Sequence, residues 1–356
     1  MIKISVIMSI YNTNHVYVKE AISSIVNQRY GNFEFIIIDD GSDLDYQALI
    51  DSFKDKRIIF LKKEHNKGLA YCLNRAIEIA KCDYIARMDA DDISLHNRFS
   101  EMIYFMENNK EIDIAGSFYR EIGFGNQVVK LENKDEYIKP AMLFYNPIAH
   151  PTVFFRASSV EKYNIRYPEE FYPEDYYLWV KCSLFHESIK FANVPRILLY
   201  YRLHNNQETV KKKSMFLSNS KEVTKKIFNR LNLSINEYEF FIFEKFKARK
   251  SLNSDESKEI FSILYKIISA NKKYKLYQPE ALEIIIANEI VKRIILGKLR
   301  PVLQCSPSIQ KSICSIWHIA NLKWRIVHLL IEHSDIKVRN CRHDYSLEYH
   351  RKFCCF

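Results

Sequence analysis

A chain of 356 residues with 47% apolar and 27% charged side chains can bury one large core or two modest ones, which excludes a disordered or collagen-like polymer. Its formal charge of +10 is unevenly held: residues 206–356 carry 28 Lys and Arg against 15 Asp and Glu, whereas residues 1–205 are slightly acidic. The eight cysteines (Cys72, Cys82, Cys182, Cys305, Cys314, Cys341, Cys354 and Cys355) form no CxxC pair, a pattern that suits a reducing compartment rather than a zinc site or a disulfide scaffold.

The predicted elements begin at once. Ile4–Ile10 is an apolar strand that follows Met1 without a charged leader, so no signal peptide is expected, and no run of about 18 apolar residues predicts a membrane span. Tyr17–Gln28 carries a helical stripe, and Phe33–Ile38 is a strand ending at Asp39-Asp40-Gly41-Ser42. Ile58–Leu61 is a short strand, Gly68–Lys81 a helix, and Tyr84–Met88 a strand ending at Asp89-Ala90-Asp91-Asp92. A helix over Leu95–Asn108 and a strand over Ile112–Tyr119 complete an alternation that predicts a doubly wound α/β domain with a mostly parallel sheet. Further on, His150-Pro151-Thr152 reads as a loop entering a strand, Tyr176–Phe185 as a helix and Ile197–Leu203 as a strand closed by His204. Helices are then predicted over Ser220–Leu231, Glu237–Ser251, Asp255–Asn271, Pro279–Leu299 and Ser308–His333, which divides the chain into an α/β domain (1–205) and a mostly helical, basic region (206–356).

Both acidic clusters sit at carboxyl ends of strands, where ligands of such sheets bind. In an extended segment Asp89 and Asp91 point to the same side and can share one hard divalent cation, whose charge a departing diphosphate needs. The same pattern also describes a capped, solvated turn. Asp39 and Asp40 can accept from a base N–H or a ribose hydroxyl, or simply make an Asp-Gly turn. Glu174-Asp175 follows Pro173 at a helix start and suits either a dipole-complementing cap or a general base, whose pKa the helix dipole lowers and desolvation raises. His150 and His204 are further candidates, His204 for a metal or a phosphate. No GxGxxG, GxxxxGK[ST] or GxSxG occurs, which removes the dinucleotide, P-loop and serine-hydrolase readings.

In order, these residues resemble the inverting, nucleotide-sugar-dependent family 2 glycosyltransferases of GT-A fold. The likeness runs through Ser5-Val6-Ile7-Met8-Ser9-Ile10-Tyr11-Asn12, Ser23-Ser24-Ile25-Val26-Asn27-Gln28, Ile37-Ile38-Asp39-Asp40-Gly41-Ser42 and Asn66-Lys67-Gly68-Leu69-Ala70. It continues through Met88-Asp89-Ala90-Asp91-Asp92, His150-Pro151-Thr152, Glu174-Asp175-Tyr176-Tyr177-Leu178-Trp179 and Tyr201-Arg202-Leu203-His204. The resemblance implies that Tyr11 and Asp40 hold a uracil ring with Asp39 beside it. It places Asp89 on the ribose or on metal waters, and gives Asp91 the role of Mn²⁺ or Mg²⁺ ligand with His204 completing the site. Asp175 is then the general base and Glu174 lies in the acceptor pocket. The Gln-x-x-Arg-Trp signature of processive synthases is missing, which favours transfer of a single sugar.

The expected activity is transfer of galactose or glucose from a UDP-sugar to a lipid-diphosphate-linked sugar in O-antigen or capsule assembly, with a β linkage. Lys311–His333 has the spacing of an amphipathic helix with two tryptophans, so peripheral contact with the cytoplasmic face of the inner membrane is expected, core packing or a dimer interface being the alternatives. A tail acylated at Cys354 or Cys355 is chemically possible. Competing readings are a transferase acting on another polysaccharide or a protein-linked acceptor, a nucleotidyltransferase, which usually carries a Gly-rich first loop, and a nucleic-acid-binding protein that uses the basic region and leaves the acidic clusters idle.

Overall fold

The computed structural model describes residues 2–208, 212–295 and 297–298. The predicted Ser308–His333 helix and the Cys354-Cys355 tail lie outside them.

Nine strands form one sheet in the order β3-β2-β1-β4-β8-β6-β9-β5, with β7 paired to β6. The amino-terminal half is the expected parallel part: β1 (Ile4–Ile10), β2 (Phe33–Asp39), β3 (Ile58–Lys62) and β4 (Tyr84–Asp89) alternate with α1 (His15–Val26), α2 (Gln47–Ser52) and α3 (Leu69–Ile79). Alternate residues of these strands enter opposite layers. Ile7, Ile36, Ile38 and Ile85 pack with α3, whereas Val6, Met8, Phe35 and Ile37 pack with α1 and α4 (Arg98–Asn108). Both faces are therefore apolar, which is why these strands read as continuous runs rather than alternations.

The second half corrects the expectation of a mostly parallel sheet. β8 (Phe154–Arg156) runs antiparallel to both β4 and β6 (Ile114–Gly123), and β5 (Ile93–Ser94) runs antiparallel to β9 (Phe191–Leu203), while β6 and β9 are parallel. β9 begins six residues earlier than its predicted start because Pro195 and Arg196 fall at a register shift, where a missing N–H costs no ladder bond. β7 (Val128–Val129), α5 (Asp135–Ala141) and α6 (Ala157–Lys162) are short additions, and His150–Thr152 forms a 3₁₀ turn. α7 spans Glu174–Phe185.

Beyond β9 come α8 (Lys213–Arg230), α9 (Glu237–Lys247), α10 (Ser254–Tyr274) and α11 (Pro279–Ile295). Asn236 with Glu239 and Asn253 with Glu256 make capping boxes that start α9 and α10. These helices do not stand apart: Ile227, Phe243, Leu264 and Ile286 belong to the same apolar cluster as Trp179, Phe155 and the strand residue Ile85. No helix among the described residues is long and apolar enough to cross a membrane.

Candidate active site

β1, β2 and β4 end side by side, with Ile10 beside Asp39 and Ser9 beside Asp89. Each strand therefore delivers its next residues to one rim. Tyr11 is 47% exposed there. Asn12 N–H donates to Ser42 Oγ (3.0 Å) and Asp43 N–H to Asn12 Oδ1 (2.9 Å), tying the first loop to the second. Gly41 is required in that second loop: its φ is +74°, and a Cβ would lie 2.7 Å from the backbone carbon of His65. Asp39 is fully buried and accepts from Ser42 N–H (3.0 Å), its second oxygen unpartnered. Asp40 accepts from Lys67 N–H (2.9 Å) and Gly68 N–H (2.7 Å) just before α3, so this carboxylate holds the third loop to the rim.

A cavity of about 330 Å³ opens at the end of β4. It brings together five of the candidate residues: Asp89, Asp91, His150, Glu174 and Asp175. His204 joins through Asp91, with Nε2 2.8 Å from Asp91 Oδ2. His204 Nδ1 accepts from Asn206 N–H (3.2 Å), which leaves Nε2 as the ring nitrogen that faces Asp91. Tyr11, Asp39 and Asp40 do not line this cavity; they sit on the adjoining rim.

Asp89, Asp91 and Asp92 each offer an oxygen within 4.8 Å of the others. Burial, reinforced by Asp89, pushes the Asp91 carboxyl above its usual range, and burial with Asp91 pushes Asp92 higher still. Such crowded, hard oxygen donors fit Mn²⁺ or Mg²⁺, which would remove the repulsion. Asp92 is turned inward, accepting from Arg202 N–H (2.8 Å), while Arg202 Nε donates to the Asp91 carbonyl (2.7 Å). Arg202 thus sets the shape of the acidic loop from β9.

At the start of α7 the two opposing effects on Asp175 are both present, and burial wins. Its carboxylate accepts from Tyr176 N–H (2.7 Å) and Asn146 Nδ2 (2.7 Å), yet desolvation raises it to about 6. Burial and then the Asp175 charge raise Glu174 to about 7. His150 is buried with Nδ1 3.6 Å from Glu174 Oε1 and Nε2 3.0 Å from the Tyr167 hydroxyl; burial, then the Arg87 charge, holds it neutral. Activity that needs an ionised Asp175 falls as pH drops through about 6. The stability contribution runs the other way. Unfolded carboxylates titrate near pH 4, so between pH 7 and 5 the folded pair binds protons the unfolded chain does not, and this pair adds stability as pH falls. Parallel kcat and melting profiles from pH 5 to 8 check this; an activity plateau down to pH 5 contradicts it.

Arg87 was missed because it sits in an otherwise apolar strand. It lies two residues before Asp89, hence on the same side of β4, and a charge in a buried strand is itself a signal. The side chain is 1% exposed, contacts Asp89 and has Nε without a hydrogen-bond partner; its charge is felt by Asp91, Glu174 and Asp175. Replacing it by Met leaves these carboxylates without their shared cation. Arg87→Met should cost on the order of 2 kcal/mol at pH 7.5, below the roughly 3–5 kcal/mol of a fully buried pair because Asp89 keeps some contact with water. The deficit should shrink at pH 6, as denaturant melts at both pH values would reveal. Asn146 and Tyr167 were also missed: neither side chain marks itself outside the folded context.

Strand-end carboxylates and a second carboxylate pair lining one cavity, on a half-parallel α/β sheet, are the arrangement expected of a glycosyltransferase of GT-A fold. The chain belongs to glycosyl transferase family 2, whose model matches residues 5–165. It is 33% identical over 224 residues to an uncharacterised glycosyltransferase of Methanocaldococcus jannaschii, covering 60% of this chain and 76% of that one. A second uncharacterised glycosyltransferase, from Haemophilus influenzae, is 32% identical over 296 residues, covering 77% and 88%. The Escherichia coli UDP-Glc:α-D-GlcNAc-diphosphoundecaprenol β-1,3-glucosyltransferase WfaP is 34% identical over 201 residues, covering 56% and 77%. In fold the chain is similar to S. aureus TarS 1–349, solved with UDP-GlcNAc, with a TM-score of 0.55 at 16% identity over 88% of this chain and 92% of that one.

Proposed function

We propose that the protein is an inverting hexosyltransferase that moves glucose or galactose from a UDP-sugar to a sugar linked to a lipid diphosphate, of the GlcNAc-diphosphoundecaprenol type, in O-antigen or related polysaccharide synthesis. One observation carries this reading: a single cavity is lined by both the Asp89–Asp91 pair and the Glu174–Asp175 pair. The donor and acceptor classes draw support from the name of the E. coli relative.

In this reading Tyr11 and Asp40 hold the uracil ring from the rim, with Asp39 beside it. Asp91, Asp89 and His204 would hold Mn²⁺ or Mg²⁺, which would supply positive charge to a departing diphosphate. Asp175 takes the proton of the acceptor hydroxyl as its oxygen bonds to the sugar C1 and the C1–O bond to UDP breaks. One displacement converts an α-linked donor into a β-linked product. Glu174 positions the acceptor, held in turn by neutral His150. The α/β part, 1–205, performs the chemistry, and the basic region, 206–356, faces the anionic acceptor and the cytoplasmic surface of the inner membrane, with Lys311–His333 as the contact. The acidic clusters have no use in a nucleic-acid-binding protein, and nucleic acid is not a partner in this reading.

The test is UDP release from UDP-glucose and UDP-galactose with a synthetic GlcNAc-diphosphate-lipid acceptor, with and without EDTA. One donor should support turnover that EDTA stops and Mn²⁺ or Mg²⁺ restores; full turnover in excess EDTA contradicts the metal assignment.

A further inference from the structure

A second cavity, of about 200 Å³, opens behind the base. Asn146 lines both cavities and donates to Asp175 at 2.7 Å, so one amide side chain separates this space from the proposed point of proton transfer. Its walls come from the end of α9, from α8 and from α11, with Tyr176 between. The volume falls below the roughly 300–1,000 Å³ of pockets that enclose whole ligands, and suits a fragment of one.

The charges in its wall are unequally matched. Glu289 lies 2.5 Å from Arg293 and 2.9 Å from Lys292, so its charge is more than answered. Glu244 accepts from the Thr224 hydroxyl at 2.6 Å. Lys247 and Arg249 also line the cavity, and neither has a carboxylate within ion-pair distance among the described residues. Lys247 Nζ donates to two neutral oxygens, Ser220 O (3.2 Å) and Thr224 Oγ1 (2.9 Å), and lies 5.4 Å from the centre of the Tyr176 ring. Burial lowers its pKa to about 8. The Arg249 charge reaches Tyr145 and Arg293 across the same space. Lys247 feels the Glu244 charge only across Thr224, and Arg249 has no carboxylate in ion-pair range among the described residues; such an ammonium and guanidinium on one small cavity are matched by an oxygen-rich anion, and the guanidinium fork favours phosphoryl oxygens.

We propose that this cavity binds the diphosphate of the acceptor, so that the acceptor sugar spans from Lys247 and Arg249 to Asp175 past Asn146. The inference rests on the reading of the acceptor given above and adds to it the residues that select a diphosphate-linked sugar over a free one.

The experiment uses the full-length enzyme and two acceptors with the same sugar: a GlcNAc-diphosphate-lipid analogue and a phosphate-free alkyl glycoside of GlcNAc. Lys247→Gln and Arg249→Gln should each raise KM for the diphosphate acceptor about tenfold or more, the contribution of a hydrogen bond between charged groups. The KM for donor and the rate with the alkyl glycoside should stay unchanged, and Lys247→Arg should restore most of the affinity. Arg249 is exposed, so its substitution keeps the test valid even if Lys247→Gln fails to fold. An unchanged KM in Arg249→Gln and in folded Lys247→Gln, or an equal rise for both acceptors, overturns the proposal while leaving the proposed reaction standing. If the wild type uses neither acceptor, the proposed acceptor class fails instead. Calorimetric binding of inorganic pyrophosphate in EDTA then decides the cavity: binding lost in both variants supports an anion site, and no binding or equal binding overturns it.

Discussion

Asp175→Asn lowers kcat by roughly 10²–10⁴-fold, the usual contribution of a general base, while donor affinity is nearly unchanged. The amide keeps the size of the carboxylate and can still accept from Tyr176 N–H, so α7 retains its start. It cannot accept the acceptor proton. Asn146, which now donates to Asp175 Oδ2, must turn its own amide to face the new one, a local change that leaves the β1–β2 rim untouched. Loss of a buried charge should also hold or raise the melting temperature at pH 7.5, since burial disfavours the ionised form here. Glu174→Gln should be milder. Single-turnover rates for both variants, with donor binding measured separately by calorimetry, decide the assignment: a Asp175→Asn enzyme that keeps more than about a tenth of wild-type turnover is outside the range of a lost base, and Glu174 takes its place.

Asp91→Ala abolishes metal-dependent transfer, by about 10³-fold or more, because cation stabilisation of a leaving diphosphate contributes several kcal/mol. Asp91 is the member of the acidic group that both faces the cavity and is oriented by His204 and, through its carbonyl, by Arg202. Its loss removes one of three crowded carboxylates, so the fold should not suffer: repulsion falls, and Asp92 keeps its bond from Arg202 N–H. Asp89→Ala should cost less activity if Asp89 meets the cation through water, but more stability, since it leaves buried Arg87 without its contact. Titrations of activity against Mn²⁺ for both variants, beside their melting curves, separate the two roles. Recovery of Asp91→Ala at high Mn²⁺ to near wild-type turnover contradicts the assignment.

These expectations start from residues whose patterns survive outside the fold. β1, β2 and β4 are legible because strands buried on both faces are continuous apolar runs, and their carboxyl ends are marked by DDGS and DADD. α9 and α10 are legible as helical stretches, although their Asn-x-x-Glu capping boxes stand out only once the helix starts are seen. β5, β7 and β8 have two or three residues each and take their identity from partners far away in the chain, such as Ile93 opposite Tyr200, which no local period reports. α5 carries Pro140 inside it, which argues against a helix when read locally. The same distinction runs through the site. Asp91 and His204 stand 113 positions apart, and only motif order suggested that they meet. Arg87 carried a signal that the strand reading passed over. Asn146 carries none, because an Asn in a loop is ordinary until Asp175 is seen 2.7 Å away.

The most direct measurement of the central claim is the anomeric configuration of the product. With UDP-glucose or UDP-galactose and the GlcNAc-diphosphate-lipid acceptor, the proposed arrangement of Asp175 as the one base opposite a leaving diphosphate permits a single displacement. Proton NMR of the purified product should therefore show a β linkage from the α-linked donor, formed by the wild type and, far more slowly, by Asp175→Asn. An α-linked product would contradict the account, because retention requires a second displacement or a front-face route for which Asp175 is not the base.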